Sequence, residues 1–167
     1  MSGGEIRAAS PYDVTLLASL QAACFAPEHG ADETGVAYVG EPWSARGWAE
    51  VLAMPGSFAL IATLPGQPVG FVLAQLLVDE AEVLSLGVLP SHRRAGHGRR
   101  LLQAAMDLVA ERGAGRFLLE VAEINHRAHR FYASNGFARI GRRTAYYRDQ
   151  TGAPMDALVL AKPLAGA

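Results

Sequence analysis

Residues 91–102 read SHRRAGHGRRLL, two glycines one residue apart among four arginines and two histidines. One apolar run precedes this stretch and another follows it, which sets it between the end of a strand and the start of a helix. Backbone N–H groups at a helix start have no partner within the helix. Gly96 and Gly98 let the main chain approach a bulky anion and take up positive φ, while the arginines add charge around it. Taken alone, the stretch leaves a second reading open, a tight strand-to-helix turn with a solvated basic face. Spacing excludes two common phosphate loops: no lysine followed by Ser or Thr comes after the glycines, and Leu101 stands at the third-glycine position of a dinucleotide fingerprint.

The elements that must hold this turn follow from apolar period and caps. "EIRAA" forms a short first strand; Ser10, Pro11 and Asp13 then open a helix running to about Phe25, with Leu16, Leu17, Leu20, Ala23 and Cys24 at helical spacing. Residues 26–41 have no apolar period and many turn formers, so they read as a long loop, of the kind that often either covers a substrate or is disordered. Ser44 caps a second short helix through Leu52. "SFALIATL", "PVGFVLAQLLV" and "AEVLSLGVL" form a strand meander. "GRRLLQAAMDLVAERG" is the clearest helix, "RFLLEV" a strand, "NHRAHRFYASNG" a helix opened by Asn125 and closed by Gly136, and two strands around "DQTG" end the chain. The order predicts an α/β (α+β) mixed sheet with helices on its faces.

Bulk properties narrow the class. The chain has 167 residues, a formal net charge of -1 and 50% hydrophobic residues, as expected of one domain spanning residues 1–167. Cys24 is the only cysteine, so no internal disulfide forms, and a chain of this size needs none. The near-neutral balance argues against nucleic acid as a partner, and no leader or membrane-length apolar run stands out, so a cytoplasmic location is expected. Of the fifteen basic residues only Lys162 is lysine, which reflects codon composition as much as chemistry.

"RRAGHG" fits the Arg/Gln-x-x-Gly-x-Gly/Ala signature of the GNAT N-acetyltransferase superfamily. With "PWS" at 42–44, "DEAEVLSLGVLPSHRRAGHGRRLL", "LLEVAEIN", "HRFYASNGFARIGRRTAYY" and "ALVLAKPL", the chain resembles the ribosomal-protein-alanine N-acetyltransferase (RimI-like) family over about residues 42–163. The resemblance implies a GNAT fold, a mostly antiparallel sheet of about seven strands flanked by about four helices, with acetyl-CoA as co-substrate and no metal. It implies that the strand ending Leu86, Gly87 and Val88 splays from its neighbour and lends backbone groups to the pantetheine arm, the Val88 amide facing the thioester carbonyl. Arg93 stands at the first signature position. Amides from Arg94, Ala95, Gly96, His97, Gly98 and Arg99 would hold the pyrophosphate, and Asn125 would touch the pantetheine arm.

Acetyl transfer to an amine needs a neutral amine, a polarised carbonyl and a proton for the departing thiolate. An α-amino group with a pKa near 8 is mostly protonated at neutral pH, so a base must act. Glu120, late in an apolar strand, suits that role through partial desolvation, and the resemblance points to the same residue. The Val88 amide would serve as a one-donor oxyanion hole. The resemblance places the acid at Tyr132, with direct attack in a ternary complex. Each residue alone has a plainer reading: Glu120 a strand end at solvent, Asn125 an N-cap, Tyr132 an aromatic at a surface. Five motifs in order and spacing favour the chemistry.

The expected acceptor is the N-terminal α-amino group of a protein, ribosomal proteins included; a polyamine, amino acid or aminoglycoside is the alternative within the same chemistry, and a non-catalytic acyl-CoA sensor the alternative outside it. Ala122 stands where such relatives usually carry Arg, and the loop at 26–41 looks longer than theirs, both changes falling where an acceptor binds. Glu41, Asp79, Glu80 and Glu82 either favour a cationic acceptor or form a solvated charged loop. The pairs His126/His129 and His92/His97 lack a Cys or carboxylate at ligand spacing. Cys24 reads as core filler and Trp43 and Trp48 as packing for the second helix, Trp43 also as a wall of the acceptor groove. The chain is expected to act as a monomer or homodimer, without nucleic acid or membrane.

Overall fold

The computed structural model of the protein describes residues 4–26, 42–149 and 151–165. The long loop read over 26–41, with Glu41, therefore lies, Ala26 apart, outside the described residues. Seven strands form one sheet: β1 (Glu5–Ala8), β2 (Ser57–Leu64), β3 (Gln67–Leu77), β4 (Glu80–Val88), β5 (Arg116–Ala122), β6 (Ala138–Arg148) and β7 (Pro154–Pro163), in the order β1-β2-β3-β4-β5-β7-β6. Every pair is antiparallel except β4 with β5. Among the described residues four α-helices cover its faces: α1 (Val14–Cys24), α2 (Ala45–Leu52), α3 (His97–Glu111) and α4 (His126–Ser134). The mixed sheet of seven strands with about four helices expected from sequence is the arrangement observed among the described residues.

The caps act as their residue types dictate. The Ser10 side chain accepts from the Tyr12 amide, and Asp13 reaches back to the Ser10 amide, but the first turn, Pro11–Asp13, is 3-10, and α1 proper begins at Val14. A Ser-Pro start fixes the chain direction without requiring α geometry at once. Ser44 accepts from the Gly47 amide to open α2. Among the described residues no helix is long and apolar enough to cross a membrane.

The core has two parts, one on each sheet face. Leu101, Leu102, Ala105, Met106 and Val109 of α3 pack with Phe117, Leu119 and Val121 of β5. On the other face Leu17, Leu20 and Cys24 of α1 and Trp48 of α2 pack with Ile61, Phe71 and Leu73. Cys24 is buried as expected of a filler, and burial pushes its thiol up to about 12. Trp48 is fully buried, its ring edge-on to Phe71 and to Trp43.

Two irregularities in β4 set up the site. Across β3, Leu73 faces Ser85 and Ala74 faces Val83, so Leu84 is an extra residue and β4 carries a bulge. One extra residue exchanges the two faces of a strand. Before the bulge Ala81 and Val83 join the α3 side of the core, after it Leu86 and Val88 do, while Leu84 packs against the α1 side. Pairing with β5 runs only from Glu80↔Arg116 to Val83↔Leu119. Past the bulge the two parallel strands are no longer paired.

Gly87 lies in the diverging segment. A Cβ there would sit 2.8 Å from Phe71 Cε1 and 3.0 Å from Cys24 Cβ, both on fully buried residues. Gly87→Ala is therefore expected to destabilise the fold by about 1–3 kcal/mol through overpacking, read from a lower urea midpoint. An unchanged midpoint would show that α1 does not press on β4 as described.

Candidate active site

The turn after β4 is built from short backbone bonds. Pro90–His92 forms a 3-10 turn in which the His92 amide donates to Leu89 O at 2.8 Å and the Arg93 amide to Pro90 O at 3.3 Å. Arg94 (φ 59) and Gly96 (φ 85) then take left-handed conformations that swing the chain into α3. For Gly96 that costs nothing, and no atom lies within 4 Å of where its Cβ would be. Helix α3 has no side-chain cap, and its first internal bond is Arg100 N–H to Gly96 O at 3.0 Å. The amides of residues 94–99 thus donate to no acceptor among the described residues. An uncapped helix start with a run of open N–H groups is an anion site.

A cleft of about 440 Å³ opens at this turn. Its walls are Leu86, Gly87 and Val88 from the diverging strand; Arg93, Arg94 and Gly96 from the turn; His97, Gly98 and Arg99 from the start of α3; and Asn125, the N-cap of α4, with Tyr132 within it. Of the cofactor residues expected from sequence, only Ala95 falls outside it, pointing to solvent on the exposed rim. The Leu89 amide donates to Val69 O at 2.8 Å, and ladder bonds alternate along an antiparallel strand, so the N–H and C=O of Val88 turn away from β3 toward the side β5 has left.

Arg93 behaves differently from the rest of the signature. Its Nε donates to Val88 O at 3.2 Å and one terminal nitrogen to Cys24 O at 2.8 Å, so the guanidinium fastens the end of α1 to the diverging strand. Burial, with Arg127 nearby, lowers its pKa from the ordinary arginine value. His97 is buried with Nδ1 unpartnered among the described residues, and burial, Arg100 and His92 together lower its pKa. Asn125 caps α4, its side-chain oxygen accepting from the Ala128 amide at 3.1 Å. It is the N-cap that one reading from sequence made it, and it also lines the cleft.

Tyr132 is 8% exposed, edge-on to Phe131 and Phe137. Burial, with a smaller contribution from Tyr147, holds its phenol well above the usual tyrosine range, so it stays a proton donor across neutral pH. Glu120 stands elsewhere. It alternates with Leu119 and Val121, which face α3, so its side chain lies on the opposite face of β5 and does not line the cleft. There it accepts from Arg143 Nη1 of β6 at 2.6 Å, and Arg143 stacks 4.1 Å from the Tyr146 ring centre. The structure thus brings the glycine turn, the Val88 strand end and Tyr132 to one cleft, and sets Glu120 across the opening between β4 and β5.

The acids read together as a charged loop divide. Asp79 occupies a turn, Glu80 begins β4 and bonds Arg116, and Glu82 lies within β4, half-buried. Burial first, then the nearby Glu120 charge, pushes Glu82 up, with Arg143 opposing. The sequence holds the signal, an acid between Ala81 and Val83 in a strand, and it is the reasoning that singled out Glu120. Phe25, Arg127, Phe131, Ser134 and Asn135 also line the cleft and went unmarked, and His92, weighed only as a metal ligand, lines it too. For Arg127 a signal exists: cations in the first turn of a helix oppose its dipole, which makes sense beside an anion. Trp43 packs edge-on against Trp48, as its packing role predicts. Among the described residues no three His, Cys, Asp or Glu side chains gather in a way that could hold a metal ion.

The model of the Acetyltransferase (GNAT) family matches residues 19–137. The chain belongs to the GNAT acetyltransferase family. It is an N-acetyltransferase, and enzymes of this family take the acetyl group from acetyl-CoA. The acetyltransferase is 34% identical over 102 residues to the [ribosomal protein bS18]-alanine N-acetyltransferase of Escherichia coli K12, covering 61% of this chain and 68% of that one. It is 37% identical over 116 residues to N-alpha-acetyltransferase RimI of Mycobacterium tuberculosis, covering 66% and 72%. The crystal structure of the ribosomal-protein-S18-alanine N-acetyltransferase from Escherichia coli superposes with a TM-score of 0.81 at 26% identity, over 98% of this chain and 96% of that one.

Proposed function

We propose that this acetyltransferase modifies the N-terminal α-amino group of a protein in the cytoplasm, ribosomal proteins being the first acceptors to test. The observation that carries the reading is the opening between β4 and β5 beyond Val83. It joins a cleft with free amides and a buried phenol on one face to carboxylates on the other. The names of the relatives from Escherichia coli and Mycobacterium tuberculosis support this acceptor class.

The cleft suits the coenzyme. Six consecutive amides (residues 94–99) with no acceptor among the described residues, with Arg94, Arg99 and Arg127 around them, fit a diphosphate, and the Leu86–Val88 edge fits an extended amide-bearing arm. Bound acetyl-CoA supplies an activated thioester and a sulfur leaving group. The carboxylate face, Glu120 foremost, draws one proton from the arriving ammonium so that its nitrogen can bond to the acetyl carbon. The Val88 N–H donates to the carbonyl oxygen as charge develops there. Tyr132 gives its phenolic proton to sulfur as the carbon–sulfur bond breaks, and the surplus proton on nitrogen restores the phenol. Arg93 holds the Val88 strand end in place from α1.

The test uses labelled acetyl-CoA with peptides beginning Ala, Ser, Met or Gly, the same peptides with blocked N-termini, and free polyamines, amino acids and an aminoglycoside. Label is expected on unblocked peptides only. Transfer confined to the free amines would replace the acceptor, and binding of acetyl-CoA with no transfer to any amine would favour a sensor.

A further inference from the structure

Two side chains that hold Glu120 come from positions that an unbroken strand would keep apart. Arg143 donates to Glu120 at 2.6 Å, Tyr146 is hydrogen-bonded to the same carboxylate, and the guanidinium stacks 4.1 Å from the Tyr146 ring centre. Residues three apart along a regular strand point to opposite faces of the sheet. These two share a face because β6 bulges: Arg143 pairs with Ala157 and Tyr147 with Met155, so three residues, 144–146, stand opposite Asp156 alone. Ala145, the middle one, is left-handed at φ 55, a conformation that a residue with a Cβ adopts only under strain. Asp156 holds it there. Its Oδ1 accepts from the Ala145 amide at 2.9 Å and its Oδ2 from Arg142 Nη1 at 2.7 Å, and Arg142 also bridges to Glu123. The Asp156 carbonyl oxygen accepts from the Glu123 amide at 2.9 Å, which ties the same point of β7 to the residue that follows β5.

We propose that Asp156 is a positioning residue for the reaction: by holding the β6 bulge through the Ala145 amide, it brings Tyr146 and Arg143 together on the Glu120 carboxylate and sets how that carboxylate faces the acceptor amine. This rests on the role given to Glu120 above. The Ala145 amide first and Arg142 second keep the Asp156 carboxyl below the usual carboxylate range, so the clamp stays ionised across neutral pH. Without it Ala145 relaxes toward extended backbone, Arg143 and Tyr146 return to opposite faces, and Glu120 keeps at most one of them. The bulge also borders the other side of the site. The Tyr146 and Tyr147 rings meet edge-on at 4.9 Å, and Tyr147 is the neighbour that adds to the effect of burial on the Tyr132 phenol.

The test separates the bulge from general stability. In protein carrying 13C-labelled tyrosine, the Tyr146 phenol should titrate above the ordinary tyrosine range, raised by burial and by the Glu120 charge and hydrogen bond, with Arg143 opposing. Asp156→Ala should bring it back toward that range and lower kcat/KM for a peptide beginning Ala by about tenfold, with acetyl-CoA affinity kept within about twofold. Adding Ala145→Gly to Asp156→Ala should restore both, because glycine takes positive φ without strain. Ala145→Val, at an exposed position with Asp156 intact, should reproduce the loss by itself, since a β-branched residue resists that conformation, and it keeps the test readable if Asp156→Ala does not fold. A Tyr146 titration unmoved in Asp156→Ala and Ala145→Val, or a loss in Asp156→Ala that Ala145→Gly does not restore, would overturn the assignment. Full activity in both Glu120→Gln and Tyr132→Phe, with the Tyr146 signal still following Asp156, would instead overturn the reaction scheme on which the assignment rests.

Discussion

Tyr132→Phe is expected to lower kcat by about a hundredfold while leaving acetyl-CoA affinity within about twofold, because the change removes one proton donor and little packing. The ring is 8% exposed and held edge-on by Phe131 and Phe137, contacts that Phe preserves. What goes is the only phenol among the described residues that line the cleft, a group that burial keeps protonated. Without it the thiolate leaves unprotonated from a desolvated cleft, and a hundredfold loss corresponds to about 2.7 kcal/mol of barrier. Rapid-quench turnover with calorimetry of acetyl-CoA binding separates the effects. Unchanged turnover would remove Tyr132 from the mechanism.

Trp48→Ala is expected to cost about 3–5 kcal/mol of stability, since a fully buried indole leaves a cavity that its neighbours only partly close. The loss reaches the site. Gln21, 1% exposed on α1, accepts at Oε1 from the Trp48 Nε1 (3.1 Å) and from the Trp43 amide (2.9 Å), and its Nε2 lies 3.5 Å from Ser85 Oγ beside the bulge. Removing the indole leaves a buried amide oxygen with one donor fewer. For a chain of this length the fall in melting temperature should be roughly 10 °C or more. A fall of about 2 °C or less would show that the indole does not anchor the α1–α2 layer. Because the same layer presses on Gly87, the variant should also bind acetyl-CoA more weakly at temperatures where it is still folded.

The glycine turn was legible because its chemistry is local. Backbone that turns through positive φ favours glycine, as at Gly96, and the arginines around it are read directly, so the residues themselves carry the signal. Helix starts were legible for the same reason, through Ser10, Ser44 and Asn125. The bulge at Leu84 was not, because a two-residue period slipping by one inside an apolar run leaves an apolar run. Nor was the bond from Arg93 to Cys24 O, which joins residues 69 positions apart that no local pattern relates. The surroundings of Glu120 were not legible on the same ground: Arg143 arrives from β6 across β7, and Glu82 from β4, so these side chains meet only once the sheet order is set.

Amide NMR of the 15N-labelled protein, titrated with acetyl-CoA and in parallel with pantetheine, which lacks the diphosphate, bears most directly on the turn. The N–H signals of residues 94–99 and of Val88 should move on adding acetyl-CoA, while pantetheine at saturating concentration should move Val88 and leave 94–99 in place. If acetyl-CoA binds while the 94–99 amides stay unmoved, the helix start does not hold the diphosphate.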